Sequence, residues 1–127
     1  MVTDSLADLF QALADPTRLR LVNLVAEGEI CVCFLVEVLG EPQPKISRHL
    51  AYLRNAGIVE ARRDGKWIHY RLAEASSPLV REVLGAVTAA MAGEKELQRD
   101  RAALARACCS TRVPATLRRA PRPQLAQ

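Results

Sequence analysis

Apolar residues recur along this chain with two different periods, and the change of period divides it. Leu6, Leu9, Phe10 and Leu13 fall at i, i+3, i+4 and i+7, the stripe of an amphipathic helix. Asp15-Pro16 then reads as an N-cap followed by proline at the first helical position. The helix it opens is lined by Leu19, Val22, Leu24 and Val25 and ends at Gly28. Ile30 to Leu39 is a short apolar run stopped by Gly40 and is read as a third helix. Pro42 and Pro44 frame a turn, after which Ile46, Leu50 and Leu53 mark a fourth helix ending near Ala56-Gly57. From Ile58 the period falls to two: 58–63 and 67–72 are strand-like runs separated by Asp64-Gly65-Lys66, a strong hairpin signal. Leu79, Val80, Val83, Val87 and Met91 predict a longer helix after Pro78. Gly93 is expected to weaken or bend it before 94–107 continues it.

The predicted class is mainly α with a β-hairpin, in the order of a winged helix-turn-helix. Helices 31–39 and 44–56 form the pair whose second member enters the major groove. Burying Ile46, Leu50 and Leu53 leaves Gln43, Lys45, Ser47, Arg48, His49 and Tyr52 toward solvent. Gln43, Lys45 and Ser47, near the helix start, suit base edges; Arg48 and the hairpin's Arg62, Arg63 and Lys66 suit phosphates.

Charge supports this reading. The net charge is +4, yet residues 1–42 carry two arginines against seven acids, and residues 43–71 carry seven lysines and arginines against two. A compact basic stretch beside an acidic one is the footprint of a surface that meets polyanions, here double-stranded DNA. Half of the 127 residues are apolar and a quarter charged, a globular balance, and no apolar run is long enough to span a membrane. The acidic N-terminus lacks the basic-then-apolar order of a secretory signal. Residues 1–109 are expected to form one DNA-binding and dimerisation domain. Residues 110–127, with three prolines and four arginines, are expected to be a flexible basic tail. The stripes Leu6, Leu9, Phe10, Leu13 and Leu79, Val83, Val87, Met91 exceed what one such domain easily buries, which predicts a homodimer reading symmetric half-sites.

Three segments, Ile30-Cys31-Val32-Cys33-Phe34-Leu35, then 43–54 (QPKISRHLAYLR), then 65–72 (GKWIHYRL), closely resemble the ArsR family of metalloid-responsive repressors. Asp15-Pro16-Thr17-Arg18-Leu19-Arg20 is similar to that family's second-helix motif. The resemblance covers roughly residues 5 to 92. It implies a cytoplasmic homodimer that occupies an operator and leaves it when an inducer binds. In the arsenic branch that inducer is trivalent arsenic or antimony held by cysteine thiolates, with no catalytic cofactor.

A thiophilic ion is best held by thiolates, and the chain has four cysteines. Cys31 and Cys33 are placed at the start of the third helix, where a helix N-terminus is expected to lower their pKa. On an ideal helix, residues i and i+2 point about 200° apart. Capture of one arsenic by both therefore requires that first turn to distort, loosening the support of the DNA-reading helix. The best-known form of the family's motif has a third cysteine where this chain has Val36. A third sulfur then has to come from Cys108 or Cys109, from the same or the partner subunit, or from a small thiol in solution. Two further arrangements stay open. Cys108 and Cys109 are the primary pair, or two thiols suffice because the inducer is an organoarsenical with two exchangeable positions. Sensing of cadmium, lead or redox state by the same thiols is the alternative function. Terminal-helix zinc sites of related repressors need histidine, and residues 76–107 contain none; His49 is assigned to the DNA surface and His69 to the wing. An enzyme is disfavoured: there is no phosphate-cradling loop and no cysteine–histidine pair that the sequence brings together.

Overall fold

A computed structural model describes residues 2–74, 77–109 and 117–125, with 2–4 and Cys109 described by their backbone alone. Helices α1 (Val2–Leu13) and α2 (Pro16–Val25) are followed by a two-residue strand β1 (Ile30–Cys31). Next come α3 (Val32–Leu39) and α4 (Gln43–Asn55), the hairpin β2 (Val59–Asp64) and β3 (Trp67–Leu72), and helices α5 (Pro78–Met91) and α6 (Lys95–Cys109).

Local chemistry sets most of these boundaries. Asp15 caps α2, its carboxylate accepting from the Arg18 N–H at 3.0 Å, and Pro16 supplies a first helical residue that needs no acceptor. Helix α4 ends in a Schellman motif: Ile58 N–H donates to Leu53 O and Gly57 N–H to Arg54 O, with Gly57 at φ +78°. Only a residue without a Cβ takes that φ cheaply, so the glycine fixes where the recognition helix stops and the wing begins.

The three strands run antiparallel in the order β1-β3-β2. Ile30 and Cys31 pair with Tyr70 and His69, and β2 pairs with β3 from Val59–Leu72 to Asp64–Trp67. The strand β1 was not expected. Cys31 therefore does not lie on a helix: its backbone is extended (φ −65°, ψ 140°), and it is both the last residue of β1 and the N-cap of α3. The reason is tertiary. An apolar dipeptide has no detectable period of its own, but the edge of β3 offers it ladder partners.

The core joins α2, α3, α4 and the sheet through Leu21, Phe34, Leu35, Ile46, Leu50 and Ile58, all fully buried. Gly93 does more than bend a continuous helix: 92–94 separate α5 from α6. Helix α6 folds back onto α2 and α3. Its docking is part apolar, through buried Leu104, and part polar. Arg20 Nε donates to Asp100 at 2.8 Å, Asn23 donates to Leu97 O at 3.0 Å, and Arg101 reaches Asn23 at 2.8 Å and Glu27 at 2.9 Å. Within the stretch expected to be a mobile tail, Leu117 and Ala120 join the core; 110–116, 126 and 127 lie outside the described residues. The proposed dimerisation stripes are partly consumed inside the chain, with Leu9, Leu13 and Met91 buried, while Phe10 and Leu79 remain exposed.

Candidate thiol pair and nucleic-acid interface

Cys31 is fully buried and Cys33 half-buried. Their thiols are neighbours, the Cys33 side chain weighing on the ionisation of Cys31, and the turn from extended strand into helix brings residues i and i+2 to one side as an ideal helix does not. The expected distortion of a helical first turn is thus already built in. The expected activation of Cys31 is not. Burial is the largest influence and pushes its thiol up to about 11; the nearby N–H groups of Cys33 and Ile68 pull the other way and lose, and the Cys33 thiol adds to the rise. At the N-cap the sulfur meets the helix terminus, but it meets it without water.

Cys108 is buried on α6, and its thiol donates to Pro123 O at 2.8 Å. The Cys109 side chain lies outside the described residues. Among the described residues no group of three His, Cys, Asp or Glu side chains is placed to hold a metal ion.

Helix α4 presents Gln43, Arg48 and Tyr52 exposed, with Lys45 and Ser47 half-buried. Lys45 pairs with Glu41 at 3.2 Å. His49 departs from the solvent-facing expectation. It turns toward α2, with Nδ1 3.4 Å from the Arg18 guanidinium and 4.0 Å from the Asp15 carboxylate, and its side chain is only 19% exposed. Arg18 itself donates to Ala12 O and Gln11 O and covers the Tyr52 ring at 4.2 Å. One guanidinium therefore ties α1 and α2 to α4. Sequence reasoning gave Arg18 no role, although it stands in a motif that was singled out.

On the wing, Arg63 and Lys66 are exposed, with Lys66 over the Trp67 ring at 5.0 Å. Arg62 is engaged: its Nε lies 3.0 and 3.1 Å from the two oxygens of Glu29. The hydrogen bond from Arg62 holds the Glu29 carboxyl below its usual range, burial opposing it and the charges of Arg62, His69 and Arg71 adding to it. Beside this pair, Arg71 Nη2 lies 2.8 Å from Glu60. His69 is buried in the wing as expected. Its Nε2 has no hydrogen-bond partner, and the Asp64 carboxylate stands 4.0 Å away. Glu29 was missed because its partner is 33 residues away; the one sequence signal was an acid two residues before Cys31.

No helix among the described residues is long and apolar enough to cross a membrane. Residues 15–61 match the bacterial regulatory proteins of the arsR family. The chain is 58% identical over 65 residues to the arsenical resistance operon repressor of Escherichia coli, a match covering 50% of this chain and 56% of that one. It is 49% identical over 78 residues to the arsenic resistance transcriptional regulator ArsR2 of Pseudomonas putida, covering 61% and 68%. The chain thus spans about half to two thirds of the length of these relatives. In structure it is similar to the homodimeric winged helix-turn-helix DNA-binding domain of a possible ArsR-family regulator from Mycobacterium bovis. The TM-score is 0.60 at 30% identity, covering 70% of this chain and 80% of that one. Helix pair, wing and sequence agree: this chain belongs to the arsR family of bacterial regulatory proteins, winged helix-turn-helix transcriptional regulators rather than enzymes.

Proposed function

We propose that this protein is a cytoplasmic, homodimeric repressor that leaves its operator when a trivalent arsenical is captured by Cys31 and Cys33. The observation that carries this reading is the placement of two neighbouring thiols, Cys31 at the end of β1 and Cys33 in the first turn of α3, at the junction of the wing sheet and the helix that supports α4. Two thiols are a chelate for a thiophilic centre. Each arsenic–sulfur bond forms as the thiol proton leaves with an arsenic-bound hydroxide as water, so neutral thiols suffice and no oxidant or reductant is needed. The donor set fits a bidentate arsenical as it stands. Inorganic arsenic or antimony takes its third sulfur from Cys108, Cys109 or a small thiol.

Gln43, Lys45 and Ser47 read base edges, while Tyr52, Arg48, Arg63, Lys66 and, once freed, Arg62 contact the backbone. This follows from their positions at the start of α4, along its exposed face and on the hairpin. His49 serves this surface from behind, as part of the packing between α4 and α2. The dimer reading draws on exposed Phe10 and Leu79 and on the homodimeric neighbour.

Fluorescence anisotropy with a fragment of the promoter upstream of the protein's own gene tests this. Arsenite or a monosubstituted organoarsenical should release the fragment, and Cys31→Ser and Cys33→Ser should bind it but no longer let go. Release that survives both substitutions and fails only in Cys108→Ser and Cys109→Ser would move the primary site to the end of α6.

A further inference from the structure

We propose that Glu29 gates Arg62: its carboxylate and a DNA phosphate compete for one guanidinium fork, and metalloid capture at Cys31 and Cys33 settles the competition in favour of Glu29. This rests on the function proposed above and adds how the thiols speak to the wing.

Three observations carry it. Arg62, His69 and Cys31 stand opposite one another in a single row across the three strands, since Arg62 pairs with His69 and His69 with Cys31. Directly opposed residues of antiparallel strands share a face of the sheet. Glu29 immediately precedes β1, so its backbone moves with Cys31, and its carboxylate spans β3 to grip Arg62 through both oxygens. A guanidinium presents that fork to one oxyanion at a time, whether carboxylate or phosphate. An open cavity of about 420 Å³, lined by Glu29, Glu60, Ala61, Arg62 and Arg71, leaves room beside the fork for a phosphate to displace the carboxylate.

Drawing the two thiols onto a common centre fixes the backbone of 29–31, and so fixes Glu29 on Arg62. With β1 unrestrained, the strand gives and Arg62 transfers to phosphate. Glu29 is in this sense a positioning residue: it touches neither DNA nor inducer, and acts through the side chain that does.

The test is a double-mutant cycle on the full chain with Glu29→Gln, Arg62→Gln and the pair. Operator affinity is measured across a salt series, with and without arsenite. Freed of its competitor, Arg62 should let Glu29→Gln bind the operator roughly three- to tenfold more tightly and steepen the salt slope by about one unit. Arsenite should then weaken the variant's complex several-fold less than it weakens the wild type's. In the Arg62→Gln background, Glu29→Gln should change nothing. Thermal melts and arsenite titration of the free variants check that folding and the thiol site are intact. An unchanged salt slope in Glu29→Gln, or an effect that persists without Arg62, overturns the gate. A Glu29→Gln complex as sensitive to arsenite as wild type overturns its coupling to the thiols. A wild-type complex indifferent to arsenite overturns that coupling together with the proposed function, while the salt slopes still decide the competition for Arg62.

Discussion

The guanidinium of Arg18 lies 4.2 Å from the centre of the Tyr52 ring, while its Nε donates to Ala12 O at 2.6 Å. A cation over an aromatic face is worth about 0.5–2 kcal/mol, and a charged donor to a backbone carbonyl about as much again. Arg18→Ala should lose roughly 1–3 kcal/mol of unfolding free energy and weaken operator binding several-fold. Because Arg18 acts behind α4, the salt dependence of binding should not change; a shallower slope in this variant would put Arg18 on the phosphate backbone. Arg18→Lys keeps a cation for the ring but loses the fork, and should recover only part of the stability.

Thiol reactivity should be unequal within the pair. With its pKa near 11, Cys31 is ionised to less than about one part in a thousand at pH 7.5, and it is fully buried. Iodoacetamide should alkylate half-buried Cys33 first. Cys31 should stay unmodified in the native state at pH 7.5 and react more readily as the pH climbs toward 11. Peptide mapping by mass spectrometry reads this directly; equal labelling of the two at pH 7.5 would contradict the burial.

The cap of α2 predicts a pH window. Burial pulls the Asp15 carboxyl upward, but the Arg18 N–H and the charges of His49 and Arg18 outweigh it, so its pKa falls below the ordinary 3.8. A lowered carboxylate pKa means stability that is complete above the unfolded value and lost as the pH falls through the folded one. Asp15→Ala should cost about 1 kcal/mol at pH 7. The gap between variant and wild type should narrow as the pH falls from 5 to 3. Asp15→Asn, which keeps an acceptor for the cap, should be close to wild type at neutral pH and flatter in acid. Urea melts across that range measure both; a gap that stays constant to pH 3 would rule the charge out.

Gly28 reports on the C-terminal segment. Its φ is +153°, and a Cβ there would come within 2.6 Å of the backbone oxygen of Gln124. Gly28→Ala should destabilise the chain by about 1–3 kcal/mol from backbone strain and crowding together. In a chain ending at Cys109 the crowding is gone, and the same substitution should cost measurably less. Equal costs in the two backgrounds would show that 117–125 does not rest on Gly28 in solution.

Much of this was legible from the sequence because its causes are local. The stripe Ile46, Leu50, Leu53, the Asp15-Pro16 cap and the Gly57 stop each act within a turn or two of chain, and each helix they mark is present. The hairpin was announced by residues 64–66. What escaped depends on partners far along the chain. Strand β1 exists because β3 lies alongside, and His49 turns inward because Arg18 and Asp15 are there to meet it. Arg62 is held by a carboxylate 33 residues away. The Cys31 thiol was misjudged for the same reason: a helix N-terminus is visible in a sequence, whereas the desolvation that overrides it belongs to the assembled core.

Cys31 ends β1 and begins α3 with no residue between them. A joint without a linker passes any movement of β1 directly to the support helix, and through the β1–β3 pairing to the wing. Contacts in the major groove and along the flanking backbone are then surrendered together, and the promoter should empty in a single step with no half-released complex on the way.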